Sequence, residues 1–158
     1  MINYNLQKKP LLTSVSNFRD LGGYCNPQGL RIKKNLIFRS NFFLKLSQKD
    51  FEKLKKFGIK TIVDFRGSKE SQLNKYKNYS KLSIKKYSKP IETKSSIDLY
   101  NLFMSGRPTE KKVSELMVAS YREYVSDFTD KYRFLLSLIA NKENLPLIFH
   151  CTAGKDRT

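Results

Sequence analysis

The chain has 158 residues, 39% apolar and 28% charged; that length makes one ordinary domain, able to bury about two-thirds of the surface its unfolded chain exposes, which argues against disorder. With 31 basic and 14 acidic residues the net charge is +17, which favours anionic partners (nucleic acid, an acidic membrane surface, a phosphorylated substrate), although the lysines are spread as on a solvated face rather than blocked. Two cysteines and one histidine exclude a disulfide framework and a His-based zinc site, and no apolar run has the length of a bilayer span or a signal core, so a reducing, cytoplasmic setting is the default expectation.

Residues 1–15 read as an irregular arm, and residues 16–158 as one partial domain. The pair Gly22-Gly23 after Asn17-Phe18-Arg19-Asp20-Leu21 permits a tight turn. Leu36-Ile37-Phe38-Arg39 is a short strand. Ser47 caps a helix to about Phe57, with Asp50 at its third position and Gly58 ending it. Residues 59–65 are β-branched and continuously apolar at their centre, as in a strand buried on both faces. Ser68 caps a short helix to about Tyr76, and Leu82–Tyr87 form a further strand. Residues 91–107 are part helix, part loop. Apolar residues then recur at helical spacing twice, from Val113 to Tyr124 and from Phe128 to Ile139. Asn144 and Pro146 turn the chain into a last strand, Leu147 to His150. Strands alternating with helices predict an α/β fold with a mostly parallel sheet.

The chemistry concentrates in the final nine residues, His150-Cys151-Thr152-Ala153-Gly154-Lys155-Asp156-Arg157-Thr158. A cysteine leaves the end of an apolar strand, and an arginine follows five residues later, with a glycine between. A loop of this length can turn its backbone N–H groups inward as an anion nest. Gly154 allows the positive φ such a loop needs, and the planar fork of Arg157 holds two phosphate oxygens at once. The Cys151 sulfur then lies beneath a bound phosphorus, in line for attack. A free cysteine titrates near 8.5; inward amides and a guanidinium favour the thiolate nucleophile. Loss of the leaving oxygen needs a proton, and Asp156 is the nearest acid. A nucleotide-binding Gly-x4-Gly-Lys-Ser/Thr loop is excluded, because Phe149 and Asp156 stand where glycine and a hydroxyl residue are required.

These nine residues resemble the signature loop of the bacterial atypical protein-tyrosine and lipid phosphatases, the tyrosine phosphatase B-like cysteine phosphatases. Asn17 to Tyr24, Phe38-Arg39-Ser40 with Leu46-Ser47, and Asp64-Phe65-Arg66 after a buried strand match in the same order. The resemblance implies a protein-tyrosine-phosphatase-like fold and hydrolysis of phosphomonoesters through a phosphocysteine on Cys151, without metal or cofactor. It assigns Arg157 and the loop residues Thr152, Ala153, Gly154 and Lys155 to the phosphate. Asp156 becomes the acid, Lys155 faces acidic substrates, and His150 orients the loop. Phosphorylated proteins and phosphoinositides are the implied substrates, with an acidic membrane surface as a further partner and no specific nucleic acid. Arg19, Asp20, Asp64 and Arg66 are expected to brace the loop through charge-assisted bonds.

The same resemblance implies further chain after Thr158, including a helix whose N-terminus adds about half a positive charge under the anion site. A carboxylate at Thr158 would instead oppose a phosphate by about 4 kcal/mol, at a separation of about 4 Å and an effective dielectric of about 20. The expectation is therefore a partial domain with impaired turnover. Two rivals remain: a rhodanese-like sulfurtransferase, which also presents a cysteine on an anion-binding loop, and a non-catalytic module for phosphate or acidic lipid.

Overall fold

The structure, a computed structural model, describes residues 11–43, 46–73 and 83–158. Its sheet has five strands in the order β1-β2-β5-β3-β4. They are β1 (Arg19–Asp20), β2 (Ile37–Asn41), β3 (Thr61–Asp64), β4 (Lys85–Ser88) and β5 (Leu147–Cys151). β2, β5, β3 and β4 pair in parallel, and β1 lies antiparallel on the edge. Between them run helices α1 (Gln48–Lys56), α2 (Ser68–Leu73), α3 (Lys94–Met104), α4 (Glu110–Ser126) and α5 (Thr129–Ala140). The α/β expectation therefore holds. The first ten residues of the arm, the expected end of α2 and Leu82 lie outside the described residues.

Local chemistry sets the helix starts. The Ser47 hydroxyl accepts from the Asp50 amide at 3.1 Å, and Thr93 caps α3 the same way on Ser96 at 3.0 Å. Gly58 takes the left-handed φ of +61° that ends α1.

β3 and β5 are buried on both faces, and their side chains alternate between two cores. Ile62 and Ile148 join Phe18, Phe38, Phe43 and Leu54 on the α1 side. Val63, Leu147, Phe149 and Cys151 join Tyr124, Leu135 and Leu138 on the α4–α5 side. The alternation sends His150 and Cys151 to opposite faces of the sheet.

Strand ends shift by a residue or more (β3 is Thr61–Asp64 within the expected 59–65, β4 is Lys85–Ser88 against Leu82–Tyr87), and the boundary of the N-terminal arm differs too. Residues 11–15 are irregular but packed: Leu12 and Val15 are buried in the first core. Thr13 and Ser14 donate to the buried Asp50 carboxylate, at 3.0 Å and, from both the Ser14 amide and hydroxyl, 2.6 Å. A single buried carboxylate thus ties this segment to α1. Among the described residues, no helix is long and apolar enough to cross a membrane.

Candidate active site

The parallel strands end on one edge of the sheet, where α/β proteins bind ligands. β5 delivers Cys151, β3 delivers Asp64 and Arg66, and β2 delivers Asn41 and Phe42.

The loop from Thr152 to Arg157 is held by its carbonyls. Thr152 O accepts from the Phe42 amide at 3.1 Å, and Ala153 O from Asn17 Nδ2 at 2.7 Å. Gly154 O and Lys155 O both accept from Arg39 Nη2, at 2.9 and 3.3 Å. In a trans peptide the following N–H points opposite to the carbonyl. Four carbonyls fastened outward therefore turn the next four amides toward the interior. The Gly154 amide shows the result: it donates to the Cys151 sulfur at 3.2 Å. Gly154 itself has φ +65°. A Cβ there would sit 2.3 Å from the Ser40 and Asn41 backbone, so the loop reaches β2 only with glycine at this position.

Cys151 is buried and its thiol is free. The other cysteine, Cys25, is exposed in a hairpin, bridged to Arg31.

Arg157 closes the loop. Its Nη1 and Nη2 meet Glu70 Oε2 and Oε1 at 2.6 and 3.0 Å, and Nη1 also reaches the Ile91 carbonyl at 3.4 Å. The same carboxylate accepts from the Thr152 hydroxyl at 2.5 Å and from the Gly67 amide at 2.7 Å. Partial burial pushes the Glu70 carboxyl up, but Arg157, Thr152 and Gly67 outweigh it and hold it at about 2. Burial lowers and Glu70 raises the Arg157 guanidinium, with a net upward shift. Glu70 is absent from the sequence reading. α2 begins at Ser68, so Gly67, and not the expected Ser68, holds the N-cap position; the signal for Glu70 is an acid three residues after that position, reaching back to the Gly67 amide.

Behind the loop lies a buried ion pair. Arg66 Nη2 and Nε meet Asp64 Oδ2 at 2.7 and 3.1 Å, and its guanidinium stacks 3.6 Å over the Phe42 ring. His150 is fully buried, with Nδ1 at 3.8 Å from Asp64 Oδ1 and 3.2 Å from the Cys151 carbonyl. That carbonyl only accepts, so Nδ1 carries the proton. Burial pushes the His150 imidazole down, against the upward pull of Asp64. Burial also raises Asp64, but the Arg66 bonds dominate and lower it.

The first bracing segment works differently from expectation. The Asp20 carboxylate accepts from the Gly22 and Asn35 amides at 2.8 and 3.0 Å, closing the glycine turn. Arg19 lies opposite Arg39 in the β1–β2 pair, and among the described residues its guanidinium has no hydrogen bond or ion pair. From these segments Asn17 and Arg39 reach the loop. Both lie in the motifs that carried the resemblance, where composition could not tell a loop ligand from an ordinary polar residue.

Asp156 faces α4. Its Oδ1 accepts from the Tyr121 hydroxyl at 2.5 Å, and Lys155 Nζ stands 4.0 Å from the same oxygen. Lys155 itself is 72% exposed.

Comparison with known proteins agrees with this architecture. A family model described as "Tyrosine phosphatase family" matches residues 10–158. A Cupriavidus necator protein named "Putative tyrosine-protein phosphatase" is 30% identical over 149 residues, 92% of this chain and 52% of that protein. The chain spans about half the length of that curated relative. With the match running from the packed Leu11–Val15 segment through the loop that ends at Arg157, the chain belongs to the tyrosine phosphatase family.

Proposed function

We propose that the chain hydrolyses phosphomonoesters through a phosphocysteine intermediate on Cys151. The observation that carries this reading is the Gly154 amide bonded to the Cys151 sulfur inside a loop whose carbonyls are fastened outward. Such a loop offers amides to three phosphate oxygens and sets the sulfur beneath the phosphorus. Arg157, immobilised by Glu70, keeps its remaining N–H groups for the same oxygens.

In the first step the sulfur forms a bond to phosphorus as the bond to the leaving oxygen breaks. The Asp156 carboxyl gives its proton to that oxygen. In the second step water attacks phosphorus, the S–P bond breaks, and the Asp156 carboxylate takes the water proton. His150 keeps the Cys151 carbonyl fixed, and the Asp64–Arg66 pair supports the strand end. Lys155, exposed beside the pocket, favours acidic neighbours of the phosphate, as in phosphotyrosine proteins or phosphoinositides.

Assays with p-nitrophenyl phosphate and thiosulfate test the reading. Phosphate release that is lost in Cys151→Ser, with no thiocyanate formed from cyanide, supports it. Sulfur transfer without phosphate release would replace it with the sulfurtransferase. Tight vanadate binding without any turnover would replace it with the non-catalytic module.

A further inference from the structure

Tyr121, which hydrogen-bonds to Asp156, lies outside the loop and its bracing set. Tyr121 sits on α4, a helix that otherwise packs on α3 and the sheet through Ser120 and Tyr124. Its ring meets the Tyr124 ring at 5.5 Å, edge to face. Its hydroxyl donates to Asp156 Oδ1 at 2.5 Å.

We propose that Tyr121 is a positioning residue for the acid: it fixes the Asp156 carboxyl so that Oδ2 is the oxygen that carries the travelling proton. The inference rests on the assignment of Asp156 as the acid.

A carboxyl group on a loop rotates freely unless something holds one oxygen. Lys155 cannot do this, because its ammonium is 4.0 Å away and largely exposed. The phenol can, and the edge-to-face contact with Tyr124 fixes the direction from which it donates. With Oδ1 occupied by a donor, a proton on the carboxyl sits on Oδ2, syn or anti to the leaving oxygen. The reverse step uses the same geometry, since Oδ2 accepts from water while Oδ1 stays bonded. The arrangement needs a phenol that never loses its own proton in the working range. The bond to Asp156, then desolvation, push Tyr121 up to about 12, so it remains a donor in both steps.

The test is a leaving-group series measured on the wild type, Tyr121→Phe, Asp156→Asn and the double variant. Tyr121 is 45% exposed, so phenylalanine keeps the packing, and a thermal melt verifies that it does. p-Nitrophenyl phosphate needs little help from an acid, whereas phenyl phosphate needs a proton on its leaving oxygen. Tyr121→Phe is expected to lower kcat on phenyl phosphate by about 5- to 20-fold and on p-nitrophenyl phosphate by less than about 2-fold. KM should hardly change, and the double variant should be no slower than Asp156→Asn alone. An equal loss on both substrates, or a further loss in the Asp156→Asn background, overturns the positioning role. So does a Tyr121→Phe variant with wild-type rates beside a crippled Asp156→Asn. An Asp156→Asn variant with the wild-type leaving-group dependence removes the acid assignment itself, and the inference with it.

Discussion

Glu70 and Arg157 meet fork to fork, Oε2 on Nη1 at 2.6 Å and Oε1 on Nη2 at 3.0 Å, across 87 residues of sequence. The pair joins the first turn of α2 to the end of the signature loop. Glu70 is itself fixed by the Gly67 amide and the Thr152 hydroxyl, so the guanidinium is set before any phosphate arrives. Glu70→Ala should leave Arg157 partly buried without its carboxylate partner, held among the described residues only by the Ile91 carbonyl, and Thr152 without its acceptor. The expected result is a kcat about 10- to 100-fold lower, with Glu70→Gln intermediate because it keeps one acceptor. Unchanged rates in both variants would show that the phosphate alone orders Arg157.

The same carboxylate sets an acid limit on stability. Folded Glu70 titrates at about 2, below its ordinary value of 4.5. Between these values the unfolded chain binds the proton and the folded chain does not, so stability rises with pH across the window. The contribution is complete above about 4.5 and is lost as pH falls toward about 2. Asp64, also held low by Arg66, adds to the slope in the same direction. Urea midpoints measured from pH 5 to pH 2 should fall steeply in the wild type and less steeply in Glu70→Gln. Parallel curves would place the acid sensitivity elsewhere.

Cys151→Ser exchanges the proposed nucleophile while keeping the loop. The carbonyl anchors on Phe42, Asn17 and Arg39 do not involve the sulfur, so the amides stay aimed. Turnover of p-nitrophenyl phosphate should vanish, while calorimetry should find phosphate bound within about 3-fold of the wild-type affinity. Lost binding would mean that the sulfur, by its bond from the Gly154 amide, shapes the loop.

Much of this arrangement was legible in residue order. The apolar run before His150 and the one before Asp64 became the two fully buried strands, because only a strand with helices on both sides buries consecutive side chains. Ser47 and Gly58 marked α1 because capping chemistry is local. The Cys-x5-Arg spacing marked the loop for the same reason. The long-range partners were not legible. Glu70 reaches Arg157, Asn17 reaches Ala153 and Arg39 reaches Gly154 over separations of 87, 136 and 115 residues, and a polar residue on one strand carries no record of which carbonyl it meets. Leu12 and Val15 carry no such signal, because five irregular residues show no period, although both side chains fill the first core.

Gly154 and Gly58 separate two effects of adding a methyl group. Both have positive φ, +65° and +61°. An alanine in that region costs about 1–2 kcal/mol in either place. At Gly58 the new Cβ meets nothing within 4 Å, whereas at Gly154 it lies 2.3 Å from the Ser40 carbonyl carbon and the Asn41 nitrogen. Those atoms cannot yield, because β2 is paired to β5 in register from Ile37 to Asn41. The loop must move instead, which breaks the Arg39 bonds to Gly154 and Lys155 and withdraws the Gly154 amide from the sulfur. Gly58→Ala should therefore lower Tm by about 2–6 °C and leave phosphate binding intact. Gly154→Ala should lower Tm by about 5–12 °C and weaken phosphate binding by at least about 10-fold. Equal losses of stability with full phosphate binding in both variants would mean that the loop needs only the backbone freedom of glycine, and not its close approach to β2.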